Sequence, residues 1–113
     1  MMLFRQGGPN DRMLEAETAR LKRLAADMER VLAGILPEAI VTEESPLLDR
    51  WILGNTLAPC LVGLSTGHPT LIGANRAIAT SNVWLMSDDM TWARTLSRWY
   101  RLGRPAERTN LNA

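Results

Sequence analysis

Cys60 and His68 are the single cysteine and the single histidine of this 113-residue chain, and together they are the minimum equipment for a thiol nucleophile with an imidazole base. The residues around them do not support that chemistry. No nucleophile elbow is present, and Cys60 sits in the apolar run Pro59-Cys60-Leu61-Val62-Gly63-Leu64-Ser65, where a buried, inert thiol is the ordinary state. Gly67-His68-Pro69 reads as a turn whose imidazole bonds the backbone. Metal chemistry has as little to work with, since one His and one Cys cannot complete a tetrahedral zinc site. Glu43/Glu44 and Asp88/Asp89 fall in loops, and calcium at the second pair would need several more oxygens in a fixed cage. Glycines 63, 67 and 73 match neither dinucleotide nor Walker spacing. We therefore assign no catalytic residue, no metal ligand and no cofactor, and expect a protein that is not an enzyme.

A different chemistry is concentrated near the C-terminus. Trp92, Arg94, Arg98, Trp99, Tyr100 and Arg101 interleave indoles and a phenol with guanidinium groups, and Arg104 and Arg108 extend the basic series. Trp, Tyr and Arg are the residues that most often dominate the binding energy of protein interfaces, so these six are the candidate partner-binding residues. A protein partner or a second copy of the chain is the first expectation. Arginine on phosphates and aromatics stacked on unpaired bases would equally suit nucleic acid; the net charge of only +1 counts against that alternative, because nucleic-acid-binding domains are usually strongly basic. The plainest reading is that the aromatics are core and the arginines a solvated face. Charge is also unevenly spread. Residues 1–50 hold seven basic and nine acidic side chains, whereas residues 51–113 hold six and three.

The elements that would position this cluster can be followed along the chain. Residues 1–9, with Gly7-Gly8-Pro9, read as a flexible lead-in. Asn10 is a suitable helix N-cap with Asp11 in the first turn. Leu14, Leu21, Leu24, Met28, Val31, Leu32 and Ile35 then recur at helical spacing opposite Arg12, Glu15, Arg23, Glu29 and Arg30, and Gly34 and Pro37 close the helix. Arg23 and Asp27 are spaced for an i,i+4 pair. The seven-residue recurrence of Leu14, Leu21, Met28 and Ile35, bordered by Glu17 and Arg20, raises pairing between two chains; in a small domain such a helix more commonly covers its own sheet. An acidic connector follows, and Ser45-Pro46 could cap a single helical turn.

Strands are expected near residues 50–53, 59–66, 78–86 and 92–102. The last is ambiguous between helix and strand, and its aromatic and hydroxyl-rich composition favours the strand. As one continuous strand it would place Trp92, Arg94, Arg98 and Tyr100 on one face and Trp99 and Arg101 on the other. The Ser87-Asp88-Asp89 break suggests a hairpin with the strand before it. Trp84 and at least one of Trp92 and Trp99 are expected to fill the space between helix and sheet. The predicted architecture is α+β: residues 10–103 form one domain, a long N-terminal amphipathic helix packed on a small antiparallel sheet of three or four strands, and residues 104–113 form a flexible tail.

Pro46-Leu47-Leu48-Asp49-Arg50-Trp51, Pro59-Cys60-Leu61-Val62-Gly63, Gly67-His68-Pro69, Thr80-Ser81 and Trp92-Ala93-Arg94-Thr95-Leu96-Ser97-Arg98-Trp99-Tyr100-Arg101-Leu102-Gly103 together resemble a family of small bacterial proteins known only as a domain of unknown function. The resemblance extends from about Asn10 to Gly103. It implies a bacterial single-domain protein and no particular activity. The apolar runs are far shorter than the roughly 20 residues of a membrane helix, and Arg5 interrupts the first few residues before a signal sequence could form. A cytoplasmic protein without a membrane partner is expected, in keeping with its lone cysteine.

Overall fold

A computed structural model describes residues 1–8 and 11–107, and the chain is α+β. It comprises β1 (Met2–Phe4), α1 (Arg12–Leu32), α2 (Pro37–Ile40), β2 (Val62–Ser65), β3 (Arg76–Ala79), β4 (Val83–Ser87), β5 (Trp92–Thr95) and β6 (Trp99–Arg101). Two compact units contain these elements. Met1–Pro9 with Leu57–Ala113 is the sheet unit, and Asn10–Thr56 is the helical unit.

In the helical unit, α1 starts one residue later than its sequence suggests. Asp11 is the N-cap, its Oδ1 accepting from the Met13 N–H at 2.8 Å, which satisfies one of the orphan donors of the first turn. The far end closes as a Schellman motif: the Gly34 N–H donates to the Val31 carbonyl at 3.0 Å and the Ile35 N–H to the Arg30 carbonyl at 3.0 Å. This needs a left-handed residue just past the helix, and Gly34 supplies it at φ +82°. Along the helix Arg20 pairs with Glu17 at 3.0 Å and Arg30 with Asp27 at 2.8 Å, so Asp27 chooses the arginine three residues on and not Arg23. No residue of α1 is buried. The short helical turn lies at Pro37–Ile40, with proline in its first turn, and not at Ser45–Asp49; the Ser45 hydroxyl instead accepts from the Thr42 N–H.

No strand forms at 50–53. Residues 46–61 run without regular structure, and Arg50 adopts φ +50° with its N–H bonded to the Asp49 carboxylate. A left-handed residue turns the chain out of the extended conformation, and among the described residues no strand lies alongside to reward straightening it.

The sheet unit holds a four-stranded sheet in the order β1-β4-β5-β6 and a separate β2-β3 hairpin. Its first strand comes from the segment read as a lead-in: Met2–Phe4 pairs in parallel with Leu85–Ser87, and the Asp88 N–H continues the ladder to the Phe4 carbonyl at 2.8 Å. The stretch 78–86 is divided between β3 and β4. The stretch 92–102 is likewise two strands, β5 and β6, paired antiparallel as Trp92↔Arg101, Ala93↔Tyr100 and Arg94↔Trp99. Val83, Met86, Ala93 and Thr95 are buried, together with Ser87, so the core is centred on the two inner strands. Trp92 and Trp99 remain 39% and 52% exposed, and neither fills the interior role expected of one of them.

Candidate functional site

The turn that joins β5 to β6 decides where the aromatic and basic residues go. Leu96-Ser97 contains no glycine, proline or asparagine, and the reversal is made by Thr95. Its buried hydroxyl accepts from the Ser97 N–H at 3.2 Å and the Arg98 N–H at 3.1 Å and donates to the Arg98 carbonyl at 3.1 Å. Side-chain hydroxyls that bond nearby backbone in this way stabilise turns that composition alone does not announce. Ser81 adds an outer brace, with its hydroxyl 2.9 Å from that of Ser97.

Because the chain reverses here, Trp92 and Arg94 lie on the same sheet face as Trp99 and Arg101, and not with Arg98 and Tyr100 as a continuous strand would require. Trp92 stands opposite Arg101 and Arg94 opposite Trp99. The Thr95 N–H bonds the Arg98 carbonyl and the Leu102 N–H bonds the Thr91 carbonyl, both at 2.8 Å. By alternation, the Trp92–Arg101 and Arg94–Trp99 pairs are the non-hydrogen-bonded ones, in which facing side chains approach most closely. Phe4 reaches the same face, its ring edge-on to Trp99 with centroids 5.9 Å apart. Among the described residues, Arg94, Arg98 and Arg101 form no ion pair with a carboxylate.

Arg98 and Tyr100 belong to a cleft of about 480 Å³ between β6 and the end of β2, whose walls include Leu64, His68, Arg98, Tyr100, Arg101 and Leu102. The imidazole of His68 lies 6.3 Å from the Tyr100 ring. Its Nδ1 accepts the N–H groups of Thr70 and Leu71, both at 3.1 Å, so in the neutral ring the proton resides on Nε2. His68 thus shapes the loop after β2. The Nε of Arg98 is sealed from solvent without an acceptor, a state that is uncommon for buried polar atoms. Cys60 is exposed, contrary to the buried thiol its apolar neighbours suggest, because the extended segment before β2 is not folded into the core. Among the described residues, no group of three or more His, Cys, Asp or Glu could hold a metal ion, and no helix is long and apolar enough to cross a membrane. Arg104 is exposed, and Arg108 lies outside the described residues.

The Ser87-Asp88-Asp89 break makes the expected hairpin between β4 and β5. The tight β4–β5 connection is held by a network in which Asp89 Oδ1 accepts from the hydroxyls of Thr91 at 2.6 Å and Ser87 at 2.7 Å, while Gln6 donates to Oδ2 at 3.0 Å. The Thr91 hydroxyl, then that of Ser87, then the Thr91 N–H lower the Asp89 pKa from 3.8 to about 2. A carboxyl with a depressed folded-state pKa contributes stability that is fully present above its unfolded value and lost as pH falls through the folded one. The wild-type protein should therefore lose stability between about pH 4 and pH 2, and Asp89→Asn should flatten that part of the curve. Thermal midpoints measured across the window check this, and parallel curves for the two proteins would refute it.

No curated protein and no solved structure gives a significant match to the chain. Residues 31–112 match a family of unknown function (DUF6634), a span that takes in the whole Arg and Trp hairpin. The chain belongs to this family.

Proposed function

We propose that the chain is a small non-enzymatic interaction or regulatory protein of the cytoplasm, which binds a protein partner through the Arg and Trp surface of the β5–β6 hairpin. The observation that carries this reading is the pair of facing Arg–Trp rungs, with Trp99 half exposed and neither guanidinium paired to a carboxylate among the described residues. A solvated structural face would commonly neutralise its arginines locally, and indoles that served only the core would be covered. Here desolvating the indoles on a partner would contribute binding energy, and the arginines would set specificity. That Nδ1 of His68 accepts two N–H groups of its own loop supports the non-catalytic reading.

The test is charge reversal on the exposed face. In nuclease-treated lysate the wild-type chain should retain a discrete, stoichiometric protein, and Arg94→Glu/Arg101→Glu should lose it while keeping the wild-type circular dichroism and melting temperature. Retention that vanishes on nuclease treatment would replace the reading with nucleic-acid binding through the same arginines. Equal retention by both proteins would place the contact elsewhere.

A further inference from the structure

β6 is an edge strand. The groups of Arg98 and Leu102 that flank it bond inward to β5, so the N–H and C=O of Trp99 and Arg101 point away from the sheet. Among the described residues no strand pairs with that edge. An open edge beside a cleft is a template for an added strand. The cleft that borders it carries Arg98, Arg101 and His68, with no carboxylate in its lining.

The same chain contains a segment that lacks a strand partner. Residues 41–61 connect α2 to β2 without a helix or strand, well beyond the roughly 12–15 residues at which a structureless connection in a compact protein is usually functional. Within it Leu47, Leu48, Trp51, Ile52 and Leu53 stand free, from 69% exposed at Trp51 to 92% at Leu53. Trp51-Ile52-Leu53 has strand-forming composition and the same three-residue length as β6. Glu43, Glu44 and Asp49 against the single Arg50 leave the segment net acidic where the cleft is basic.

From these complementary surfaces we infer that the occupant of the β6 edge is the 43–53 arm of a second copy of this chain. Trp51–Leu53 adds alongside Trp99–Arg101, the arm side chains that strand alternation turns to the Tyr100 face enter the cleft beside Leu64, Tyr100 and Leu102, and the arm carboxylates meet Arg98 and Arg101. Exchange of arms between two copies makes both contacts at once and gives a closed, two-fold dimer. This assignment rests on the proposed function, whose β5–β6 hairpin it extends to the outer edge of β6 and the adjoining cleft.

Sedimentation velocity on the full chain over a range of concentration and NaCl tests it. The wild type should pass from monomer to dimer with rising concentration, less readily at high salt. Trp51→Asp, which damages the arm, should weaken the dimer on the order of tenfold or more. Arg101→Pro removes an outward N–H while sparing the bonds to β5, which an edge strand tolerates, and should weaken it similarly. Mixing the two variants should restore a heterodimer, because one intact arm then meets one intact edge. A dimer that ignores both substitutions but is lost with Leu21→Glu in α1 would overturn the assignment. A strict monomer whose Arg94 and Arg101 surface still retains another protein would also overturn it and leave the proposed function standing. A strict monomer that retains nothing would remove both.

Discussion

Ser87→Ala should destabilise the protein by about 2–3 kcal/mol, a large effect for the loss of one hydroxyl. Ser87 is fully buried at the end of β4. Its Oγ donates to Asp89 at 2.7 Å and accepts the N–H groups of Trp92 at 2.9 Å and Thr91 at 3.1 Å. Thr91 keeps a second acceptor in Asp89, whereas Trp92 has no second side-chain acceptor. Alanine would leave that part-buried N–H without its side-chain acceptor at the first residue of β5, and a donor left unsatisfied away from bulk water costs more than an average hydrogen bond is worth. Urea denaturation measures the change. A shift in midpoint no greater than that of an exposed control such as Leu96→Ala would mean that the turn is held by other means.

Ala93→Leu should cost about 3 kcal/mol or more, through overpacking and not through any lost bond. Ala93 is completely buried in β5, opposite Met86 in β4 and Tyr100 in β6. Three added carbons have no space there, so the strands must separate or the side chain must leave its rotamer wells. Among the described residues the buried set is only five side chains, so the margin of stability is narrow and a change of this size should leave the variant largely unfolded at room temperature. Both substitutions should abolish partner binding only as a consequence of unfolding. Arg94→Glu/Arg101→Glu should abolish it in a folded protein, which separates scaffold from surface. A well-folded Ala93→Leu protein would show that β5 has room on its inner face.

The parts of the fold that were legible in the sequence are those written locally. The spacing of Leu14, Leu21, Leu24 and Met28 and the Gly34 terminus define α1 to within a residue or two, because helical periodicity and a left-handed cap are both encoded in neighbouring residues. Strand edges were less legible. Met2–Phe4 joins β4 across more than 80 positions, and nothing in three residues announces a parallel pairing. Trp51-Ile52-Leu53 has the composition of a strand, but strands need partners, and Arg50 at φ +50° breaks the run. The composition of the candidate surface was plain, whereas its faces were not. A turn built from the Thr95 hydroxyl carries no glycine or proline marker, so the hairpin that brings Trp92 and Arg94 to the side of Trp99 and Arg101 could not be read from residue types. Asp89 lies in the break that the sequence marks as a turn and is held mainly by its neighbours Thr91 and Ser87, so only the added bond from Gln6 at the other end of the chain could not be read locally.

Photo-crosslinking in cells from a benzophenone side chain at position 96, in the exposed turn beside the Arg–Trp rungs, reports most directly on whether that surface meets a protein. One discrete protein adduct is expected, a second copy of the chain if arms are exchanged, and it should disappear when Arg94 and Arg101 are both changed to Glu. A diffuse ladder of products, or an adduct indifferent to those two charges, would contradict it.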